Sequence, residues 1–341
     1  MKKRFLKIFH YLVFLALGIL LLYFAFRGIN LNELLIGLKS ANYSWVFLSL
    51  IFAFLGFLIR AYRWNLLIEP LGYNPSLRNT FYAVAIGYLA NFALPRLGEI
   101  TRCGTLNKTE KAPFDALLGT VIVERVIDVI SLFLLVLLIF FVKMEFFGNF
   151  LKEYIFLPLI RKFSGFFDFS LLSWLVFFGI TLIIGATYFA FKERLSKMSL
   201  FQKTNKILSG VISGLKTVLK LKKRRNFLLL TILLWVVYFF MTWIVVFAIP
   251  ETSHLKPLDG LFLLIIGSLG MAAPVQGGIG AFHWIVSLGL TLYGIPKSDG
   301  LVFATLSHES QAIFIVLLGS FSIFMLILQR KKNKQTNNKR Y

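Results

Sequence analysis

The sequence predicts an all-α polytopic membrane protein with six full transmembrane helices and two re-entrant helical hairpins in an inverted-topology repeat. Three observations predict it. Of 341 residues, 58% are apolar and 15% charged, against roughly 25% charged in globular proteins, and the mean hydropathy is +0.78. Apolar runs of the length that crosses a bilayer, about 20 residues, recur along the whole chain. Two further apolar runs are broken by Pro and Gly at corresponding places in the two halves. A disordered chain, a coiled coil and a typical soluble enzyme are excluded.

The first span, 6–26, follows Lys2, Lys3, Arg4 and Lys7. It is longer than a signal-peptide core and ends without a small-residue cleavage site, so a retained span is expected. The second, 45–62, ends at Arg60, Arg63 and Trp64, which fit an interfacial belt where either Arg can meet a lipid phosphate. In the first broken segment, 78–111, apolar residues 81–94 run into Pro95-Arg96-Leu97-Gly98-Glu99. Pro95 removes a backbone donor and ends the incoming helix, and Gly98 permits a tight turn. Spans 121–142 and 171–191 follow, with a Phe- and Leu-rich external interfacial helix expected over 145–169. Residues 192–226 form a basic cytoplasmic loop. Within it, Ile207, Leu208, Val211, Ile212, Leu215, Val218 and Leu219 have the spacing of a helix lying on the inner membrane face. Lys220, Lys222, Lys223, Arg224 and Arg225 come next, as a topology anchor or an attraction for anionic lipid at about 1 kcal/mol each. After span 227–248, the second broken segment, 258–295, stops at Pro274-Val275-Gln276-Gly277-Gly278-Ile279-Gly280 and resumes. Span 300–328 ends the membrane part.

Charge decides the threading. With both broken segments re-entrant and the N-terminus cytoplasmic, cytoplasmic stretches hold 28 Lys/Arg and external loops 8, as the positive-inside bias favours. Both termini then lie in the cytoplasm of a single membrane domain, 1–341. Residues 45–142 and 227–328 each read span, hairpin, span, in opposite orientations. Interrupted segments at matching positions of two halves point to a transporter's binding site. The same bias accounts for the net charge of +22. Nucleic-acid binding is not expected, since no stretch is polar enough for a folded basic domain.

A charged side chain deep in a bilayer costs several kcal/mol, so each needs a reason. Glu124 and Asp128 share a helix face, and Arg125 can reach Asp128 three residues on. That pair either pins the helix or belongs to a site. Asn91, Pro95, Arg96, Glu99 and Arg102 occupy the first hairpin, as a functional group or as loop charges. In the second hairpin, Pro274, Gly277, Gly278 and Gly280 give backbone freedom. A helix restarting near Ile279 would present free N–H groups to an anion, although a glycine run can also serve only helix packing. His283 lies one turn into that helix, where it can titrate near neutrality or sit as a hydrogen-bonded core residue. His308 and Glu309 lie in the last span as a proton-coupling pair or a polar contact. No metal is expected, because neither HExxH nor CxxC is present. No cofactor is expected, and the single cysteine, Cys103, excludes an intrachain disulfide.

At these residues the sequence resembles the lysylphosphatidylglycerol synthase transmembrane region family of flippase-like integral membrane proteins. The matching motifs are Arg60-Ala-Tyr-Arg63-Trp64, Asn91-Phe-Ala-Leu-Pro95-Arg96-Leu-Gly98-Glu99-Ile-Thr-Arg102, Glu124-Arg125-Val-Ile-Asp128, and Pro274 with Gly277-Gly278-Ile-Gly280. The resemblance implies an inner-membrane protein that moves phospholipids or lipid-linked headgroups between leaflets. Its partners would be membrane lipids, anionic phospholipid or lipid-linked phosphate. Bifunctional members add a soluble aminoacyl-transferase domain, which is not expected here, so neither is lysyl transfer. Gln276 and His283 stand where many relatives have Pro and Glu, and Ser307-His308-Glu309-Ser310 where a Tyr-Arg pair is frequent.

The expected function is lipid transport of flippase type, not enzymatic. Arg96, Arg102 and the helix start after Gly280 would hold a phosphate, and Glu99 and Glu124 would balance a cationic headgroup or take up a proton. The alternatives are an intramembrane enzyme acting on a polyprenyl or phospholipid headgroup, with Glu99 or Glu124 paired to His283, and a small-solute carrier or membrane scaffold.

Overall fold

The computed structural model describes residues 16, 18–94, 97–144, 214 and 216–338. The chain divides into two compact units. One is Met1–Asp128 with Val218–Tyr341, and the other is Val129–Thr217. Regular structure among the described residues is helical throughout, with no strand. The expected span 171–191 and the interfacial segment 145–169 lie outside the described residues, as do most of 6–26 and of the amphipathic stretch 207–219.

Helices α1 (Gly18–Phe26) and α2 (Leu31–Ser40) are bent 86° to one another, and Asn30 Oδ1 caps α2 by accepting from Asn32 N–H at 3.0 Å. Asn42 caps α3 (Tyr43–Ile68) in the same way. Next come α4 (Leu77–Ala93) and α5 (Leu97–Glu110), then α6 (Phe114–Val142). In the second half are α7 (Arg224–Trp243), continued as a 3₁₀ turn to Ala248, then α8 (Pro257–Ala272) and α9 (Ala281–Thr291), and finally α10 (Lys297–Asn338). Helices α3, α6, α7 and α10 are long and apolar enough to cross a membrane, and the bent pair α1–α2 gives a candidate fifth crossing. Expected spans 45–62, 121–142, 227–248 and 300–328 fall on those four. Together these helices make the chain a multi-pass membrane protein.

Lipid-facing stripes are visible on the outer helices. On α7, Leu228, Leu229, Ile232, Leu233 and Val236 are exposed, while Phe227, Thr231, Leu234 and Val237 are buried. A soluble protein rarely leaves a contiguous apolar surface of this kind open to water.

In each broken segment two helices pack against one another, α4 on α5 and α8 on α9. In the first, Asn91 Oδ1 accepts from Gly98 N–H at 2.7 Å, closing the turn. At its other end Glu110 Oε1 accepts from Ser76 N–H, Ser76 Oγ and Asn79 Nδ2 at 3.0, 2.8 and 2.7 Å. Gly98 is a packing necessity: a Cβ there would run into the Gly87 carbonyl oxygen and lie 2.6 Å from the Asn91 side chain. In the second hairpin, Gly277 (φ 58°), Gly278 (φ 76°) and Gly280 (φ 84°) are all left-handed, a backbone that costs other residues roughly 1 kcal/mol or more. The glycine turn touches the end of α4, with a Cβ on Gly277 lying 2.8 Å from the Phe92 ring. Phe57, Trp64, Phe81, Tyr82, Leu106 and Leu117 belong to the core that packs α3 against the first hairpin and the start of α6.

Candidate functional site

Arg60 and Arg63, three apart on α3, share a face, and Glu124 and Asp128, four apart on α6, share another. Those faces meet. Glu124 Oε1 accepts from Arg60 Nη1 at 2.6 Å and Arg63 Nη2 at 3.1 Å, and Oε2 accepts from Arg102 Nη2 of α5 at 2.8 Å. Asp128 accepts from Arg60 Nη1 at 3.2 Å and Arg63 Nη2 at 2.6 Å. Glu124 and Arg63 are fully buried, and Arg60 and Arg102 are 4% exposed. Ions taken from water into a low-dielectric interior need dense, well-aligned hydrogen bonds to persist; this network supplies most of them, leaving Arg63 Nε and Arg102 Nε buried without a partner. Arg63 also donates to Thr231 Oγ1 at 3.3 Å, and Arg60 donates twice to the Tyr238 hydroxyl, at 2.9 and 3.2 Å. The Arg102 guanidinium lies 4.6 Å from the Trp64 ring centre, within cation–π range. Trp64 Nε1 donates to Thr120 Oγ1 at 2.9 Å.

Two expectations are corrected here. Arg125 does not pair with Asp128. It reaches across to Glu99 of the first hairpin at 2.8 Å, because Asp128 is already engaged by two arginines from α3. Arg60 and Arg63 are not an interfacial belt, because α6 and α7 pack over them. Of the first segment's charges, Glu99 goes to Arg125 and Arg102 to Glu124. Pro95 and Arg96 lie outside the described residues.

Among the described residues the network holds four guanidiniums, those of Arg60, Arg63, Arg102 and Arg125. Against them stand three carboxylates, those of Glu99, Glu124 and Asp128. With the carboxylates ionised it carries one excess positive charge. Arg60 brings that charge to the wall of a small, partly open pocket of about 60 Å³. Tyr88, Tyr238 and Gln311 supply the other polar groups, and Phe57, Met241, Phe314 and Ile315 are among the apolar ones. An apolar lining with a few convergent polar groups is the usual character of a ligand site, although this cavity is smaller than a drug-sized one. Tyr88, Tyr238 and Gln311 escaped the sequence reading, because a hydroxyl or amide within an apolar span carries no motif.

Away from this network, Gly280 packs on α1, where a Cβ would lie 2.6 Å from Gly18 O and 2.7 Å from Leu22 N. Its close approach is to another helix of the chain. Pro274 is exposed at the end of α8. His283 faces α10, with Nε2 3.4 Å from Glu309 Oε1. It does not pair with Glu99 or Glu124, each of which has its own arginines.

A family model described as Lysylphosphatidylglycerol synthase TM region matches residues 11–319. A UPF0104 membrane protein of Methanocaldococcus jannaschii is 24% identical over 326 residues, covering 90% of this chain and 91% of that one. No solved structure matches.

Proposed function

Since the chain belongs to the lysylphosphatidylglycerol synthase TM region family, we propose that it is a lipid transporter of flippase type, moving a phospholipid or lipid-linked headgroup between the leaflets of the cytoplasmic membrane. The observation that carries this reading is the buried arginine network, one positive charge in excess, with Arg60 on the wall of a largely apolar pocket. A phosphate monoanion in that pocket balances the charge, and the one Arg60 N–H that Glu124, Asp128 and Tyr238 leave free can donate to it. Acyl tails remain in lipid, so only the headgroup is desolvated. The pocket draws on both halves of the chain: Arg60 and Tyr88 from the first, Tyr238 and Gln311 from the second. Rocking of one half against the other then exposes it to each leaflet in turn. The hairpins enter from opposite faces, with both termini in the cytoplasm.

The test is headgroup movement in proteoliposomes holding fluorescent phosphatidylglycerol, phosphatidylethanolamine or a polyprenyl phosphate. Faster movement of at least one lipid than in protein-free vesicles, with the lipid recovered chemically unchanged, supports transport. Unaccelerated movement of all three, or a chemically altered headgroup, overturns it.

A further inference from the structure

His283 on α9 and the consecutive His308 and Glu309 on α10 converge, with one ligand atom of each within 4.8 Å of the others. None of them takes part in the arginine network. His308 Nε2 lies 2.8 Å from the Gly277 carbonyl oxygen. A carbonyl oxygen only accepts, so Nε2 carries the hydrogen, and a neutral ring then presents a lone pair at Nδ1. That nitrogen is 3.0 Å from Glu309 Oε1. Two acceptors at hydrogen-bond distance need either a shared proton or a metal cation between them. A metal-ligating histidine is commonly held by its other ring N–H on a backbone carbonyl, as His308 Nε2 is on Gly277, which leaves Nδ1 for an ion shared with Glu309.

His283 is the second, independent sign. It is 2% exposed, its Nε2 is 3.4 Å from the same Glu309 oxygen, and its Nδ1 is buried without a hydrogen-bond partner. Coordination through Nε2 gives a return for burying this ring, while leaving its Nδ1–H without an acceptor. The geometry suits a small cation. Ligand atoms about 2.0–2.1 Å from a tetrahedral zinc stand roughly 3.4 Å apart; the two edges to Glu309 are 3.0 and 3.4 Å, and the third, between the two rings, is within 4.8 Å and closes on a bound ion. The Glu309 side chain is 43% exposed, which leaves a way in and a fourth position for water.

We propose that His283, His308 and Glu309 form a site for a divalent transition metal of the zinc class, with three protein ligands and one open position. Imidazole and carboxylate together suit zinc, cobalt or nickel and disfavour magnesium and calcium. The bound metal ties the second hairpin to α10, and through the His308–Gly277 hydrogen bond it also fixes the glycine turn that touches Phe92.

The experiment uses the full chain in detergent, stripped with a chelator and titrated with Zn2+ by calorimetry, with bound metal counted by mass spectrometry. One zinc per chain is expected. His283→Ala and His308→Ala should each weaken it by more than the 10–100-fold that losing an outer hydrogen bond costs. His254→Ala, at an exposed position, should leave it unchanged. Should a histidine variant fail to fold, Glu309→Gln at the open edge, with Co2+ as a spectroscopic probe, reads the same site through loss of the tetrahedral cobalt spectrum. Failure to bind stoichiometric zinc, or equal binding in wild type and His308→Ala, overturns the proposal. In that case the cluster is a protonated imidazole–carboxylate pair.

Discussion

Replacing Glu124 by Gln removes one charge and almost no volume, so its effect isolates the electrostatics of the buried network. The carboxylate accepts from three guanidiniums at 2.6, 3.1 and 2.8 Å with no exposure to solvent. The amide keeps one acceptor, which can serve Arg60 and Arg63, but turns its NH2 towards Arg102 Nη2, donor against donor. At least one charge-assisted hydrogen bond is lost, about 1.5–3 kcal/mol, and three buried arginines are left with Asp128 as their nearest remaining counter-charge. Breaking a buried ion pair from one side costs about 3–5 kcal/mol, and that is the loss expected. The assay is equilibrium unfolding of the purified chain in mixed detergent micelles, followed by tryptophan fluorescence. A cycle with Arg102→Met should return a coupling of about 1.5–3 kcal/mol between the two sites. A loss below about 1 kcal/mol for Glu124→Gln, with no coupling to Arg102, would refute the view that this carboxylate holds the network together.

Gly98→Ala should destabilise the chain by about 1–3 kcal/mol, as overpacking does, because the methyl runs into the Gly87 carbonyl; the same unfolding assay checks it. Cys103 is fully buried, so a maleimide should modify it only after denaturation, as mass spectrometry would show. Arg60→Lys keeps the charge but cannot serve Glu124, Asp128 and Tyr238 together. Losing one charge-assisted hydrogen bond predicts a fall in lipid flux of about 10–100-fold, with a smaller change in melting temperature than for Glu124→Gln.

The spans that declare themselves by hydropathy alone were legible: α3, α6, α7 and α10 coincide with apolar runs whose only requirement is length. The breaks between α4 and α5 and between α8 and α9 fall where the sequence places Pro95 with Gly98 and Pro274 with the three glycines. Pairing was not. Arg125 and Asp128 are close along the helix, but sequence spacing knows nothing of the two arginines that α3 brings to Asp128, nor of Glu99 brought to Arg125. Arg60 and Arg63 close an apolar run, which suggests the membrane edge until α6 and α7 are known to cover them. His283, His308 and Glu309 stayed unlinked because their grouping depends on α9 lying against α10, and no local metal motif spans two helices. Gly280 offered both an anion-binding helix start and a packing surface, and the backbone of α1 occupies the space beside it.

Retention of lipid by the purified protein tests the account most directly. Native mass spectrometry in mild detergent should find a phosphate-bearing lipid bound to the wild-type chain and absent from Arg60→Met that keeps its fold by circular dichroism. Equal retention by the two would show that the pocket beside Arg60 does not hold the headgroup.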